Sequence, residues 1–160
     1  KKNNYIPGAT EQVHTTLTKQ LALYVTLYSP IQMAADLIEN YEGNPALQFI
    51  KDVGVDWQQT KVLNGEVGDF VTIARKERAS EKWFVGGITD ENAREMVLDF
   101  RFLSPETAYE AIIYEDGIDA DWDKNPTSVN IKKQEITNKS ILKMKLAPGG
   151  GFAISLKPIN

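Results

Sequence analysis

The apolar positions of this chain change their period part of the way along. Up to about residue 56 they recur at three- and four-residue steps, and from Trp57 onward they alternate in short runs between turn residues. Val13, Leu17, Leu21, Tyr24 and Tyr28, widened by Val25, form one stripe that predicts a helix of about five turns, with Thr10 as its cap. Pro30 stops it, because proline lacks a backbone donor and biases Ser29 away from helical geometry. Ile31 to Ala35 then reads as a short strand, after which the chain turns acidic at Asp36, Glu39 and Glu42. An apolar run without alternation predicts a strand covered on both faces, as in parallel sheets, whose carboxyl ends are where ligands are usually held. Helix, tight turn and strand make half of an α/β unit, and no second unit follows. A parallel strand at Ile31–Ala35 is therefore expected to find its hydrogen-bond partners in a sheet or barrel upstream of Lys1.

A second helix is marked by Asn44 as cap, Pro45 at the first helical position and a stripe of Ala46, Phe49, Ile50 and Val53 ending at Gly54. Beyond Trp57 the β-prone runs are Lys61–Leu63, Phe70–Lys76, Trp83–Ile88, Glu95–Phe100, Tyr109–Glu115, Val129–Lys133, Ile141–Leu146 and Gly151–Leu156. Asn64-Gly65, Gly68-Asp69, Asp116-Gly117, Asn125-Pro126 and Pro148-Gly149-Gly150 punctuate them. Met96, Leu98 and Phe100 alternate with charged neighbours, as do Leu142, Met144 and Leu146, which predicts antiparallel strands with one buried and one wet face. Even spacing of such strands argues for a β-sandwich or a small Greek-key barrel.

Composition narrows the chemistry. The 160 residues contain no cysteine and one histidine, His14, so disulfides, thiolate catalysis and a clustered His/Cys zinc site are unavailable within this sequence. A net charge of −4 offers no basic surplus for a nucleic acid backbone, and no apolar run reaches the roughly 18 residues of a membrane span. Asp36, Glu39 and Glu42 form one carboxylate group, with Asp36 nearest the strand end and the candidate for a contact at a pocket rim. Asp116, Asp119, Asp121 and Asp123 suggest a calcium loop, but Gly117 is misplaced for an EF-hand and no glutamate closes twelve residues, which favours a solvated hairpin loop. Trp57, Trp83 and Trp122 are either sugar-stacking platforms or packing residues. Gly149-Gly150-Gly151 lacks the Lys-Ser or Lys-Thr of a phosphate loop and reads as a turn, while Gly86-Gly87 marks a bulge or a close backbone approach.

The run Leu27-Tyr28-Ser29-Pro30-Ile31-Gln32-Met33-Ala34-Ala35-Asp36-Leu37, then Glu39-Asn40-Tyr41-Glu42, resembles the end of the catalytic barrel in glycoside hydrolase family 97. So do Phe49-Ile50-Lys51-Asp52-Val53, Ile73-Ala74-Arg75-Lys76, Trp83-Phe84-Val85-Gly86-Gly87-Ile88-Thr89-Asp90-Glu91-Asn92-Ala93-Arg94 and Ala147-Pro148-Gly149-Gly150-Gly151. The likeness runs from about Thr15 to Leu156. It implies a parent with an N-terminal β-supersandwich, a (β/α)8 barrel and a C-terminal antiparallel β domain. The family comprises periplasmic, calcium-dependent, exo-acting α-glucosidases and α-galactosidases of α-linked oligosaccharides. By that resemblance its catalytic carboxylates and calcium-binding glutamates come from earlier strands and from the N-terminal domain, and none maps onto a residue here. The fold expected is thus an α+β fragment: terminal barrel elements over residues 1–56, then an antiparallel β-sandwich over 57–160. The function expected is the C-terminal portion of a calcium-dependent α-glycosidase, α-glucosidase favoured over α-galactosidase. It would contact the upstream barrel and N-terminal domain and possess a surface for a homo-oligomer. A non-catalytic carbohydrate-binding or dimerisation module is the alternative.

Overall fold

The computed structural model describes residues 13–34 and 41–159. Among the described residues two helices, α1 (Leu17–Thr26) and α2 (Leu47–Asp52), precede eight strands: β1 (Trp57–Glu66), β2 (Phe70–Glu77), β3 (Trp83–Thr89), β4 (Arg94–Asp99), β5 (Tyr109–Asp116), β6 (Val129–Ile136), β7 (Ile141–Leu146) and β8 (Gly151–Pro158). Each strand coincides with one of the eight β-prone runs, most of them lengthened at an end; β4 stops at Asp99, one short of Phe100, and β1 continues through Asn64-Gly65, which is paired strand rather than the turn its sequence predicts, with a register shift between Val62 and Asn64. A six-stranded sheet in the order β1-β2-β3-β8-β5-β6 faces a two-stranded ribbon of β4 and β7, and every pairing is antiparallel. β8 is inserted between β3 and β5, so the middle of the sheet is joined by a strand that follows all the others in sequence.

Alternation sorts the side chains of the sheet between two cores. Trp83, Val85, Ile113, Ile154 and Leu156 point to the ribbon and meet Met96, Leu98, Met144 and Leu146. Phe84, Tyr114 and Ala153, their neighbours along the same strands, point the other way and meet Leu21 and Val25 of α1 and Phe49 of α2. The expectation of one wet face therefore holds for the ribbon, where Glu95, Val97, Lys143 and Lys145 are exposed, and fails for the centre of the large sheet. There the helices cover what would otherwise be solvated, and β3 reads as nearly continuous burial.

The first helix is shorter than its stripe predicts. Thr16, extended at ψ 161°, is the cap, its Oγ1 accepting from Lys19 N at 3.2 Å; Thr10 lies outside the described residues. Val13 is 66% exposed and stands before the helix, and Leu27 is already extended, so the helix ends before Ser29-Pro30 is reached. The second helix begins at Leu47 with Ala46 as its N-cap and no side-chain capping bond, so Asn44 and Pro45 stand in the turn before it, where Asn44 Oδ1 accepts from Ala46 N at 2.9 Å. The strand expected over Ile31–Ala35 is not formed: residues 31–34 belong to no element, and Ile31 and Met33 are 74% and 80% exposed. A lone extended segment without a ladder neighbour has nothing to hold it as a strand. Ala35 and the acidic group at Asp36 and Glu39 lie outside the described residues, and Glu42 is exposed.

Candidate functional site

The helix-bearing face of the large sheet is where the residues of most specific geometry converge. α1 approaches β3 so closely at Gly86 that a Cβ there would stand 2.7 Å from Ala22 O and 2.9 Å from Val25 Cβ. Gly86 and Gly87 are thus a close backbone approach with an unbroken ladder on both sides, and Gly87 opposes Phe152, whose ring occupies the space a side chain would need.

Both ends of α1 are satisfied from the β domain. Thr16 N donates to Gly149 O at 3.1 Å and Leu17 N to Pro126 O at 2.7 Å, so two of the orphan N–H groups of the first turn are met by loops between strands. At the other end Arg75, buried in β2, donates from Nε to Val25 O at 2.6 Å and from Nη1 to Thr60 Oγ1 at 2.9 Å, with its guanidinium over the rings of Tyr28 and Trp57.

Asp116, the last residue of β5, is the centre of the junction. Its Oδ2 accepts from Ala147 N at 2.9 Å and Gly151 N at 3.0 Å, and its Oδ1 accepts from Thr18 Oγ1. Burial pushes its carboxyl above the ordinary range, against the opposing pull of these hydrogen bonds. The glycine run is built round it: a Cβ on Gly150 would fall 2.0 Å from Asp116 Oδ2, and Gly149 has a φ of +64°. Gly149-Gly150-Gly151 is a turn, as its sequence predicts, and it also receives the start of α1.

A second polar group lies nearby. Arg94 Nη2 contacts Asp69 Oδ2 at 3.0 Å and Asp90 Oδ2 at 3.1 Å, and its Nε donates to Thr89 Oγ1 at 2.9 Å. The backbone N–H of Asn92, then its side chain and Arg94, hold the Asp90 carboxyl well below the usual carboxylate range. This staples the β1–β2 turn to the β3–β4 turn.

The outer side of the helices is apolar. A groove of about 580 Å³ runs between α1 and α2, lined by Leu17, Tyr24, Leu27, Met33, Leu47 and Ile50. Leu27 and Tyr28 are 58% and 68% exposed, so the described residues carry an uncovered apolar flank beside the groove.

The residues singled out from sequence fare differently. Asp36 lies outside the described residues. Trp83 and Trp57 are buried, at 4% and 6% exposure, and Trp83 packs on Phe102, so neither can offer a ring to a sugar. Trp122 packs against His14, with ring centroids 4.5 Å apart, and against Gly149. In the acidic loop Asp121 Oδ1 accepts from Asp123 N and Lys124 N, and Asp119 accepts from Asn125 and Ser128, which turns these carboxylates inward on their own loop. Among the described residues no three His, Cys, Asp or Glu side chains are placed together to hold a metal ion. In the sequence Asp116 stands out only as one of four acidic residues of a solvated hairpin loop, and Thr18 and Arg75 carry no local signal of a site; Asp116 gains its role when a helix from 98 residues earlier lands on it.

The comparisons agree with this architecture. Residues 56–157 match the family model described as glycosyl-hydrolase 97 C-terminal, oligomerisation. A retaining alpha-galactosidase of Bacteroides thetaiotaomicron is 38% identical over 98% of this chain and 23% of its own length. A glycoside hydrolase family 97 enzyme from Pseudoalteromonas sp. strain K8, solved in complex with panose, superposes with a TM-score of 0.90 at 49% identity over 93% of this chain and 23% of that one. A beta-arabinopyranosidase shares the fold at a TM-score of 0.69 and 23% identity, over 88% of this chain and 21% of its own. The chain thus spans about a quarter of the length of the relatives it matches. The sandwich, the matched span and the two relatives that cover more than nine-tenths of this chain lead to one conclusion: this chain belongs to the glycosyl-hydrolase 97 C-terminal family.

Proposed function

We propose that this chain is the C-terminal portion of a longer α-glycosidase, in which it carries the last helical elements of the catalytic barrel on a structural β domain. The observation that carries the reading is the double-sided sheet: α1 is locked onto it at both ends, yet presents Leu27 and the α1–α2 groove outward. A helix held on one face and apolar on the other is a helix between two layers, and the second layer is the rest of the barrel. In that setting the segment at Ile31–Ala35 gains parallel neighbours and becomes a barrel strand, with Asp36 at its carboxyl end on the pocket rim.

The parent's substrate is an α-linked oligosaccharide, and an α-glucoside is favoured over an α-galactoside. Support comes from the higher identity to the enzyme solved with panose than to the retaining alpha-galactosidase. Its two catalytic carboxyl groups lie outside this chain, one protonating the glycosidic oxygen and the other activating water or attacking the anomeric carbon. The described carboxylates of greatest burial or constraint are already spent: Asp116 on backbone N–H groups and Asp90 on Arg94 and Asn92. Calcium, where the parent uses it, is held by residues outside this chain, and the parent works in the periplasm.

The test is hydrolysis of p-nitrophenyl α-glucoside and p-nitrophenyl α-galactoside by the parent enzyme and by this 160-residue chain. The parent is expected to release nitrophenol, faster from the glucoside, and the chain alone none. Turnover by the isolated chain overturns the reading.

A further inference from the structure

Among the described residues β1 and β6 are the edges of the large sheet, and both are guarded. β1 is broken by register shifts between Trp57 and Gln59 and between Val62 and Asn64, and β6 carries Lys132 and Lys133 in its middle. Bulges and edge lysines are devices that prevent strand-to-strand addition, so association through the sheet edges is disfavoured. The helices account for one uncovered apolar face, the α1–α2 groove. A second remains on the far side of α1.

There no helix among the described residues covers the sheet. β2 and β3 form the floor of a groove of about 550 Å³, with α1 on one side and the β1–β2 turn on the other. Val62, Val71 and Ile88 line it; Val62 is 67% exposed, and Val67 at the tip of the turn is fully exposed. Asp69 of this turn is held through Arg94 to Asp90, so the turn projects its valine from a braced position. Two residues of opposite charge line it as well: Glu66 at the end of β1 is exposed, and Lys19 of α1 is half-buried with its Nζ donating to Thr89 O at 2.6 Å.

We propose that this groove is the self-association surface of the protein, each copy inserting Val67 of its β1–β2 turn between Val62, Val71 and Ile88 of a second copy. The inference rests on the family assignment, whose description names oligomerisation without a surface. It commits to a second copy because the feature is self-complementary. A projecting apolar knob and a shallow apolar groove lie side by side on one molecule, which is the requirement of a two-fold, isologous contact. The same two-fold rotation brings Glu66 of one copy to Lys19 of the other, so these two charges set the register.

The experiment is sedimentation equilibrium of the full-length parent enzyme and its variants, with glycosidase activity and melting temperature followed in parallel. Wild type is expected to be dimeric. Val67→Asp, a change at a fully exposed residue that leaves the fold untouched, is expected to raise the dimer dissociation constant by roughly tenfold or more. Glu66→Lys and Lys19→Glu should each weaken the dimer, and the two combined should restore it. A monomeric wild type overturns the proposal, as does a Val67→Asp variant that dimerises like wild type. A Val67→Asp variant of unchanged mass but lowered melting temperature means that the parent's own upstream domains cover the groove, and likewise overturns it. Because mass and activity are read separately, an inactive parent would count against the proposed function and leave the dimer result standing on its own.

Discussion

Thr18 Oγ1 donates a hydrogen bond to Asp116 Oδ1 across a sequence separation of 98 residues, tying the first turn of α1 to the last residue of β5. The other oxygen of the same carboxylate holds the loop that enters β8. One side chain therefore joins helix, central strand and glycine turn.

Asp116→Ala leaves Ala147 N, Gly151 N and Thr18 Oγ1 facing a space with no acceptor. Each buried unsatisfied group costs about 1–3 kcal/mol, and partial rehydration at this surface-proximal junction lowers the sum. We expect a loss of roughly 2–4 kcal/mol in urea unfolding, whereas Asp116→Asn keeps an acceptor for the two backbone donors and loses less. Equal effects of the two substitutions would show that the hydrogen bonds contribute little.

Protonation of Asp116 gives a pH dependence of definite sign. Burial raises its folded pKa above the unfolded value of about 3.9, so between the two the folded state binds more protons than the unfolded one. Its contribution to stability therefore falls as pH rises from about 4 through the folded pKa and is constant above it. Asp90 runs the other way: its folded pKa is depressed, so its contribution is present above about pH 4 and is lost as pH falls toward the folded value. In melting temperatures followed from pH 3 upward, Asp116→Asn should remove the declining component and Asp90→Asn the rising one at the acid end. A difference curve between wild type and Asp116→Asn that is flat above pH 4 would contradict the burial argument.

Gly86→Ala should separate α1 from the sheet. The new methyl meets a carbonyl oxygen at 2.7 Å, and backbone cannot rotate away as a side chain can. A cost of about 1–3 kcal/mol is expected from such overpacking. Amide hydrogen exchange locates it: α1 amides should lose protection by roughly tenfold or more, while the β5–β6 ladder keeps its own. Uniform loss of protection would mean that helix and sheet open as one unit.

Arg75 is expected to matter for the same junction from the opposite end. Arg75→Leu keeps the stem and the apolar volume but removes the donors to Val25 O and Thr60 Oγ1. The stranded Val25 carbonyl predicts a loss of about 1–3 kcal/mol by urea unfolding. Arg75→Lys should recover only part of it, since an ammonium cannot make both bonds and stack over Tyr28 and Trp57. Full recovery by lysine would reduce the role of the guanidinium to charge alone.

Tryptophan emission should not respond to malto-oligosaccharides added to this chain, because Trp57 and Trp83 are inside the cores and Trp122 is packed on His14. A saturable change would restore the carbohydrate-binding reading.

Much of the β domain is written locally. Alternation of apolar residues and turn chemistry at Gly68-Asp69, Asn125-Pro126 and Pro148-Gly149 place all eight strands, because a strand's faces are set by a two-residue period any short window contains. The helical stripe through Leu17 and Leu21 is equally local, although its ends are set by Thr16 and the extended Leu27 rather than by Thr10 and Pro30. What no window contains is pairing between distant segments. That β8 enters between β3 and β5, that the sheet is covered on its second face by helices, and that Asp116 and Arg75 clamp the two ends of α1 all depend on contacts between residues far apart in the chain. The residues 31–34 mark the same boundary from the other side: their apolar composition encodes a strand, but a strand exists only with a neighbour to bond, and among the described residues there is none.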